Sequence, residues 1–227
     1  MGWREQIRKV FRTAPAERGP QRRESSAPPP PDAAREDQLR AVLAEDPNDV
    51  AAFNELAEIV RRRAAEVAAP DPLAADTGPI SRTDAANTAH WALAEELAGK
   101  PHGWYALIEM ARLSLDEDRE GAMRRLGAAC ERDHSGAALI QGVRMLREAH
   151  LPAEALGLGV GHWSPADHDP EAGRQIVQAA LDADRPADAR RHLRDLAELG
   201  GQHRGAARVV AELEPFVAAA EASVASD

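Results

Sequence analysis

The feature that most constrains this chain is a spacing. Ala122, Ala155 and Ala189 stand 33 and 34 residues apart, and Ala89 lies another 33 upstream. Each of the three later alanines follows a short turn-like run: Glu120-Gly121, Pro152-Ala153-Glu154 and Pro186-Ala187-Asp188. A fixed period of this length marks stacked supersecondary units, none of which can bury its apolar face alone. Alanine at such a point lets two helices approach, where a larger side chain would hold them apart. The spacing therefore predicts successive pairs of antiparallel helices.

Composition agrees with helices. Hydrophobic residues make up 44% of the 227, aromatics only 4%, and two of the eight aromatics are Trp3 and Phe11. The core must be built from Ala, Leu and Val, and Ala and Leu are strong helix formers. No sustained period-2 alternation marks a strand. The expected class is all-α, with helices over 33–45, 49–68, 83–99, 103–115, 118–132, 136–149, 152–162, 170–183, 186–199 and 204–222. The breaks have physical markers. Pro47 follows Asp46, Pro70 and Pro72 end a long helix, and Gly99 and Pro101 mark a stop. Thr83 is the expected N-cap of its helix, and Asp169 precedes Pro170 at a first helical position. Residues 69–82 form the one long irregular stretch, a candidate functional loop. Helices 33–45 and 204–222 are the natural end caps, the latter with Val209, Val210, Leu213, Phe216 and Val217 along one side. Residues 223–227 read as a disordered tail.

The run Asp46-Pro47-Asn48-Asp49-Val50-Ala51-Ala52-Phe53-Asn54-Glu55-Leu56-Ala57 resembles the start of a tetratricopeptide repeat. Phe53 stands where that family has a bulky aromatic, Leu56 where it has leucine and Ala57 where it has a small residue. Trp104 and Leu107 repeat the aromatic-x-x-leucine pair, with Leu139 and Gly142, then Gly173 and Ile176, as fainter echoes. The resemblance covers 35–201. It departs from the pattern in about twenty extra residues in the first unit and in the loss of the aromatic from the third and fourth. It implies an α-α superhelix of helical hairpins over 33–222. It also implies a concave groove lined by the first helix of each unit. Arg61, Arg112 and Arg147 then share a late position on three consecutive first helices, with Asn54 earlier on the first of them. Three stacked guanidiniums would clamp an acidic or carboxylate-terminated peptide; the alternative is a solvated face paired with local glutamates.

The N-terminus differs from the body. Residues 1–13 read as a basic amphipathic helix, with Trp3, Ile7, Val10 and Phe11 on one stripe flanked by Arg4, Arg8, Lys9 and Arg12. Residues 14–32, with the proline run 28–31, read as a disordered linker. The net charge of −10 is uneven: seven basic and two acidic residues put +5 on residues 1–23, leaving −15 on the rest. An acidic body repels phosphate backbones, so no nucleic-acid partner is expected. The head suits an anionic membrane surface, a protein groove or this chain's own repeats. No apolar run is long enough to span a membrane or to serve as the core of a secretory leader, and Gln6 breaks a myristoylation pattern begun by Gly2. The single cysteine, Cys130, excludes an intramolecular disulfide. A cytoplasmic place is expected, with a peripheral position at the inner face of the membrane if the head binds lipid. Lysine at only two of 28 basic positions, with abundant alanine, points to a GC-rich bacterial genome.

Chemistry-bearing candidates are weak. His162, Asp167, His168 and Asp169 could gather a divalent metal, but they lack the i, i+3 or i+4 spacing that converges ligands on a helix, and a capped turn explains them. Gly157, Gly159 and Gly161 mimic a phosphate loop without the strand that such a loop follows. Cys130 has no partner base in its helix, and Asp116, Glu117 and Asp118 fall at a turn. No catalytic residue, metal site or cofactor is therefore expected. The expected function is a scaffold that binds a peptide or protein segment. The alternatives are an assembly protein that oligomerises through its terminal helices and a metal-dependent enzyme using the loop 162–169.

Overall fold

In a computed structural model, residues 32–68, 81–199 and 205–225 are described here. They form ten helices and no strand. In order these are α1 (Ala33–Glu45), α2 (Val50–Val67), α3 (Arg82–Ala98), α4 (Tyr105–Ser114) and α5 (Arg119–Arg132). Then come α6 (Ala137–Glu148), α7 (Pro152–His162), α8 (Pro170–Asp182), α9 (Pro186–Glu198) and α10 (Ala206–Val224). Residues 1–31 and 69–80, which hold the expected amphipathic helix and linker and most of the irregular loop, lie outside the described residues. No described helix is long and apolar enough to cross a membrane.

Local chemistry sets the helix ends. Asp49, Asp118 and Asp169 each accept a bond from an amide of the first turn, at 2.8 Å in every case, and Pro152, Pro170 and Pro186 occupy first-turn positions where a missing N–H costs nothing. The cap expected at Thr83 is instead Ser81, whose Oγ accepts from the Asp84 amide at 3.0 Å. Thr83 lies inside α3. α10 runs to Val224, so residues 223 and 224, expected in the tail, are helical.

Two connections are built alike. In Ala149-His150-Leu151-Pro152 and in Ala183-Asp184-Arg185-Pro186 the second residue is left-handed, with φ of 58° and 55°. The third donates its amide five residues back, Leu151 to Leu146 and Arg185 to Ala180, both at 2.9 Å. The next helix then starts on proline. Ala122, Ala155 and Ala189 are fully buried. Ala89 is only half-buried, and α3 turns Ala86 and His90 inward instead.

Each helix packs on the next one, and α4, α6, α8 and α10 also pack in series. The buried side chains fall into two clusters. One joins α1, α2 and α3 with the start of α4 around Leu43, Phe53, Leu56 and Leu97. The other runs from α4 to α10 through Ile108, Leu126, Leu146, Ile176 and Leu196. At roughly 1.5–3 kcal/mol for each fully buried large aliphatic, these two clusters dominate the stability. Close approach replaces bulk at Gly173. A Cβ on Gly173 would sit 2.6 Å from Leu196 and 2.8 Å from the Trp163 indole, so Trp163 fills that space from another helix end.

Candidate functional site

The four residues expected in a groove separate into two places. Asn54, Arg61 and Arg112 surround a buried pair made by His90 of α3 and Glu109 of α4. His90 Nε2 lies 3.6 Å from Glu109 Oε2, and the two side chains are 8% and 6% exposed. Arg112 Nε reaches Glu109 at 3.4 Å. The Tyr105 hydroxyl donates to Asn54 Oδ1 at 3.2 Å, and Arg61 pairs with Glu58 at 3.9 Å. Neither ring nitrogen of His90 has a hydrogen-bond partner among the described residues. Burial pushes the His90 imidazole below its ordinary value, against the pull of Glu109. Burial, with help from Glu109, raises the Tyr105 phenol to about 12.

Arg147 lies elsewhere, at the end of α6. Its Nε is 2.6 Å from Asp182 Oδ2, and its Nη1 donates to Gln175 and Gln178 at 2.9 and 2.8 Å. All three partners belong to α8. Arg174 repeats the arrangement one step on, pairing with Glu212 of α10 and, at 2.9 Å, with Glu171 of its own helix. These cross-links join late α6 to late α8 and early α8 to early α10, so the three helices run in the same direction. Between them lies a recess of about 490 Å³. Leu181, Leu213 and Phe216 form its apolar wall, and Arg147, Asp182, Arg174 and Glu212 its rim.

Each of the three arginines thus has a carboxylate partner within the chain, and they do not converge on one spot. The most open side chain of the recess, Phe216, is 64% exposed. It is not part of the buried face of α10, which is made by Ala206, Val209, Leu213 and Val217. The expectation that Phe216 lies along that face is corrected by the packing: among the described residues α10 packs mainly on α8 and α9, and neither covers the flank at Phe216. His90, Glu109, Arg174 and Leu181 were not singled out from the sequence. Glu109 carried a signal, because it is a charged residue inside the apolar run from Tyr105 to Ala111.

Trp3, Arg4, Ile7, Arg8, Lys9, Val10, Phe11 and Arg12 lie outside the described residues. His168 is buried against the left-handed Gly136 and meets the Ser164 amide at 3.4 Å. Ser164 Oγ donates to Asp167 at 2.6 Å, and Asp169 caps α8. The loop is thereby tied together as a turn, and among the described residues no three His, Cys, Asp or Glu side chains are placed to hold a metal ion. The three glycines lie within the continuous helix α7, where Gly159 is packed closely against Ile176. Burial raises the Cys130 thiol to about 12, so it is protonated at neutral pH.

The chain matches no protein-family model, no curated protein and no solved structure.

Proposed function

We propose that residues 33–222 are a protein-interaction scaffold, a superhelical array of tetratricopeptide-like hairpins that binds a peptide or protein segment along its row of first helices. The observation that carries this reading is the recess between α6, α8 and α10, a concave surface with an exposed aromatic wall. Its volume falls in the range of ligand-sized clefts, roughly 300–1,000 Å³. The two matching left-handed turns, 34 residues apart at His150 and Asp184, support repeated units. Binding is preferred to catalysis because the histidines and the cysteine with shifted acidity are withdrawn from solvent: His90 between helices, His168 within a turn and Cys130 partly buried against the core. The test is selection of binding peptides from a random library on the immobilised full chain, followed by hydrogen–deuterium exchange with a selected peptide bound. Protection of α6, α8 and α10 is expected. Protection confined to other helices would rule out the recess as the groove.

An assembly role is the second reading. Among the described residues α10 packs mainly on α8 and α9 and turns Ala207, Ala211, Pro215 and Ala218 outward. Sedimentation separates the two readings, since a single species at 24.4 kDa at all concentrations counts against assembly. A peripheral place at a membrane surface rests on residues 1–13, and vesicle co-sedimentation at low salt tests it. Pelleting with anionic but not neutral lipid is the expected result.

A further inference from the structure

The recess has chemistry that narrows its partner. Phe216 is the only aromatic among the described residues that is exposed to this extent; the other exposed large hydrophobics are valines, at 42, 67, 160 and 224. With Leu181 and Leu213 beside it, Phe216 offers an apolar wall that no described element covers. The rim charges are already matched, Arg147 with Asp182 and Arg174 with Glu212. A charged group pushed between them would separate one pair and leave its partner half-buried and uncompensated, which is strongly unfavourable. The group that enters is therefore uncharged.

The surroundings of the recess have the opposite preference. At the C-terminal ends of α6 and α8 the exposed carboxyl groups of Glu148, Asp182 and Asp184 outnumber the guanidiniums of Arg144 and Arg147. The neighbouring Arg185 is committed to Asp188 at 2.7 Å. Two helices of the same direction end here, and each adds the negative pole of its dipole. On a longer scale, residues 1–31 hold seven basic and three acidic side chains, a balance of +4, so the net −10 of the chain leaves −14 on residues 32–227. Such a body draws in cations and slows the approach of anions.

We propose that the recess receives a large apolar side chain carried on a cationic amphipathic segment of a partner protein. The apolar side chain packs on Phe216, Leu181 and Leu213, and flanking lysines or arginines meet Glu148 and Asp184, leaving the Arg147–Asp182 pair intact. The proposal rests on the scaffold reading and specifies its partner by chemistry. It departs from an arginine clamp for acidic peptides, because the clamp arginines are engaged with carboxylates of this chain.

Fluorescence anisotropy of the full chain with three labelled helical peptides tests it. The first carries tryptophan and leucine on one stripe and lysine elsewhere. The second has glutamate in place of lysine, and the third alanine in place of the stripe. Only the first is expected to bind well, more weakly in high salt and about tenfold more weakly to a Phe216→Ala variant. Phe216 is exposed, so the variant keeps its fold, which circular dichroism checks. A Glu148→Gln, Asp184→Asn double variant is expected to weaken the same peptide severalfold. Tighter binding of the glutamate peptide, still sensitive to Phe216→Ala, would overturn the proposal and leave the scaffold reading standing. Equal binding of the lysine peptide to the native chain and to Phe216→Ala means diffuse charge attraction and also overturns it. No binding of any of the three removes the recess as a peptide site altogether.

Discussion

The side-chain oxygen of Asn48 accepts the backbone N–H of Trp104 at 2.8 Å, across 56 residues of chain. The same oxygen takes the Tyr105 amide at 3.1 Å, and the Asn48 amide group donates to the His102 carbonyl at 2.9 Å. Trp104 stands at the N-cap position of α4 and has no capping side chain of its own. The N-terminus of α4 is thus capped by the turn between α1 and α2, which couples the two through three hydrogen bonds.

Asn48→Ala should therefore cost about 1–2 kcal/mol, the upper range for loss of a helix cap. Asn48→Asp keeps the acceptor and loses the donor, so it should cost less. Urea unfolding followed by circular dichroism measures both, and equal midpoints for native and Asn48→Ala protein would contradict the coupling.

Two glycines predict opposite signs for the same substitution. A methyl group at Gly173 meets Leu196 and Trp163 below 3 Å, whereas one at Gly157 meets nothing within 4 Å. Gly173→Ala should destabilise by about 1–3 kcal/mol through overpacking. Gly157→Ala, on the exposed face of α7, should stabilise by about 0.5–1 kcal/mol through helix propensity. Thermal melts of the two variants decide this by direction alone.

Stability should fall on mild acidification. Burial lowers the imidazoles of His90, His168 and His192 below 6.5. The unfolded chain then binds protons that the folded chain refuses, so stability is complete above about 6.5 and is lost as pH falls from there towards the folded values. Glu55, Glu212 and Glu221, held down by arginine partners, add a further loss nearer their ordinary value of 4.5. The urea midpoint should drop between pH 7.5 and 5.5, and His90→Leu should flatten that part of the profile. A midpoint constant over this range would refute the assignment.

Arg147 and Arg61 should differ in weight. Arg147 makes three bonds to α8 at 22% side-chain exposure, so Arg147→Ala should cost about 1–3 kcal/mol. Among the described residues Arg61 pairs only with Glu58, at 3.9 Å and 38% exposure, so its replacement by alanine should cost less than about 1 kcal/mol. Chemical denaturation of the two single variants gives the comparison; equal losses would mean that the α6–α8 link is not structural.

The helices of this chain are legible because their signals are local. Proline at 152, 170 and 186 and aspartate at 49, 118 and 169 act within one turn, and the alanine spacing shows which faces must be small. Thr83 misled because two hydroxyl residues compete for one cap, and only the backbone shows that Ser81 reaches the Asp84 amide. Phe216 misled because it lies one step from Val217 and so close to the buried stripe. The stripe shows which residues are apolar but not how wide an arc a neighbour covers.

What the sequence determined by itself was the all-helical class, the helix limits to within a few residues and the close approaches at Ala122, Ala155 and Ala189, since capping, propensity and periodicity operate over a few residues. The tertiary structure alone decided the partners: Asn48 for Trp104, Trp163 over Gly173, Asp182 for Arg147 and an open flank for Phe216. Those contacts join residues 10 to 56 positions apart. They depend on how helices stack in space, which no local rule encodes.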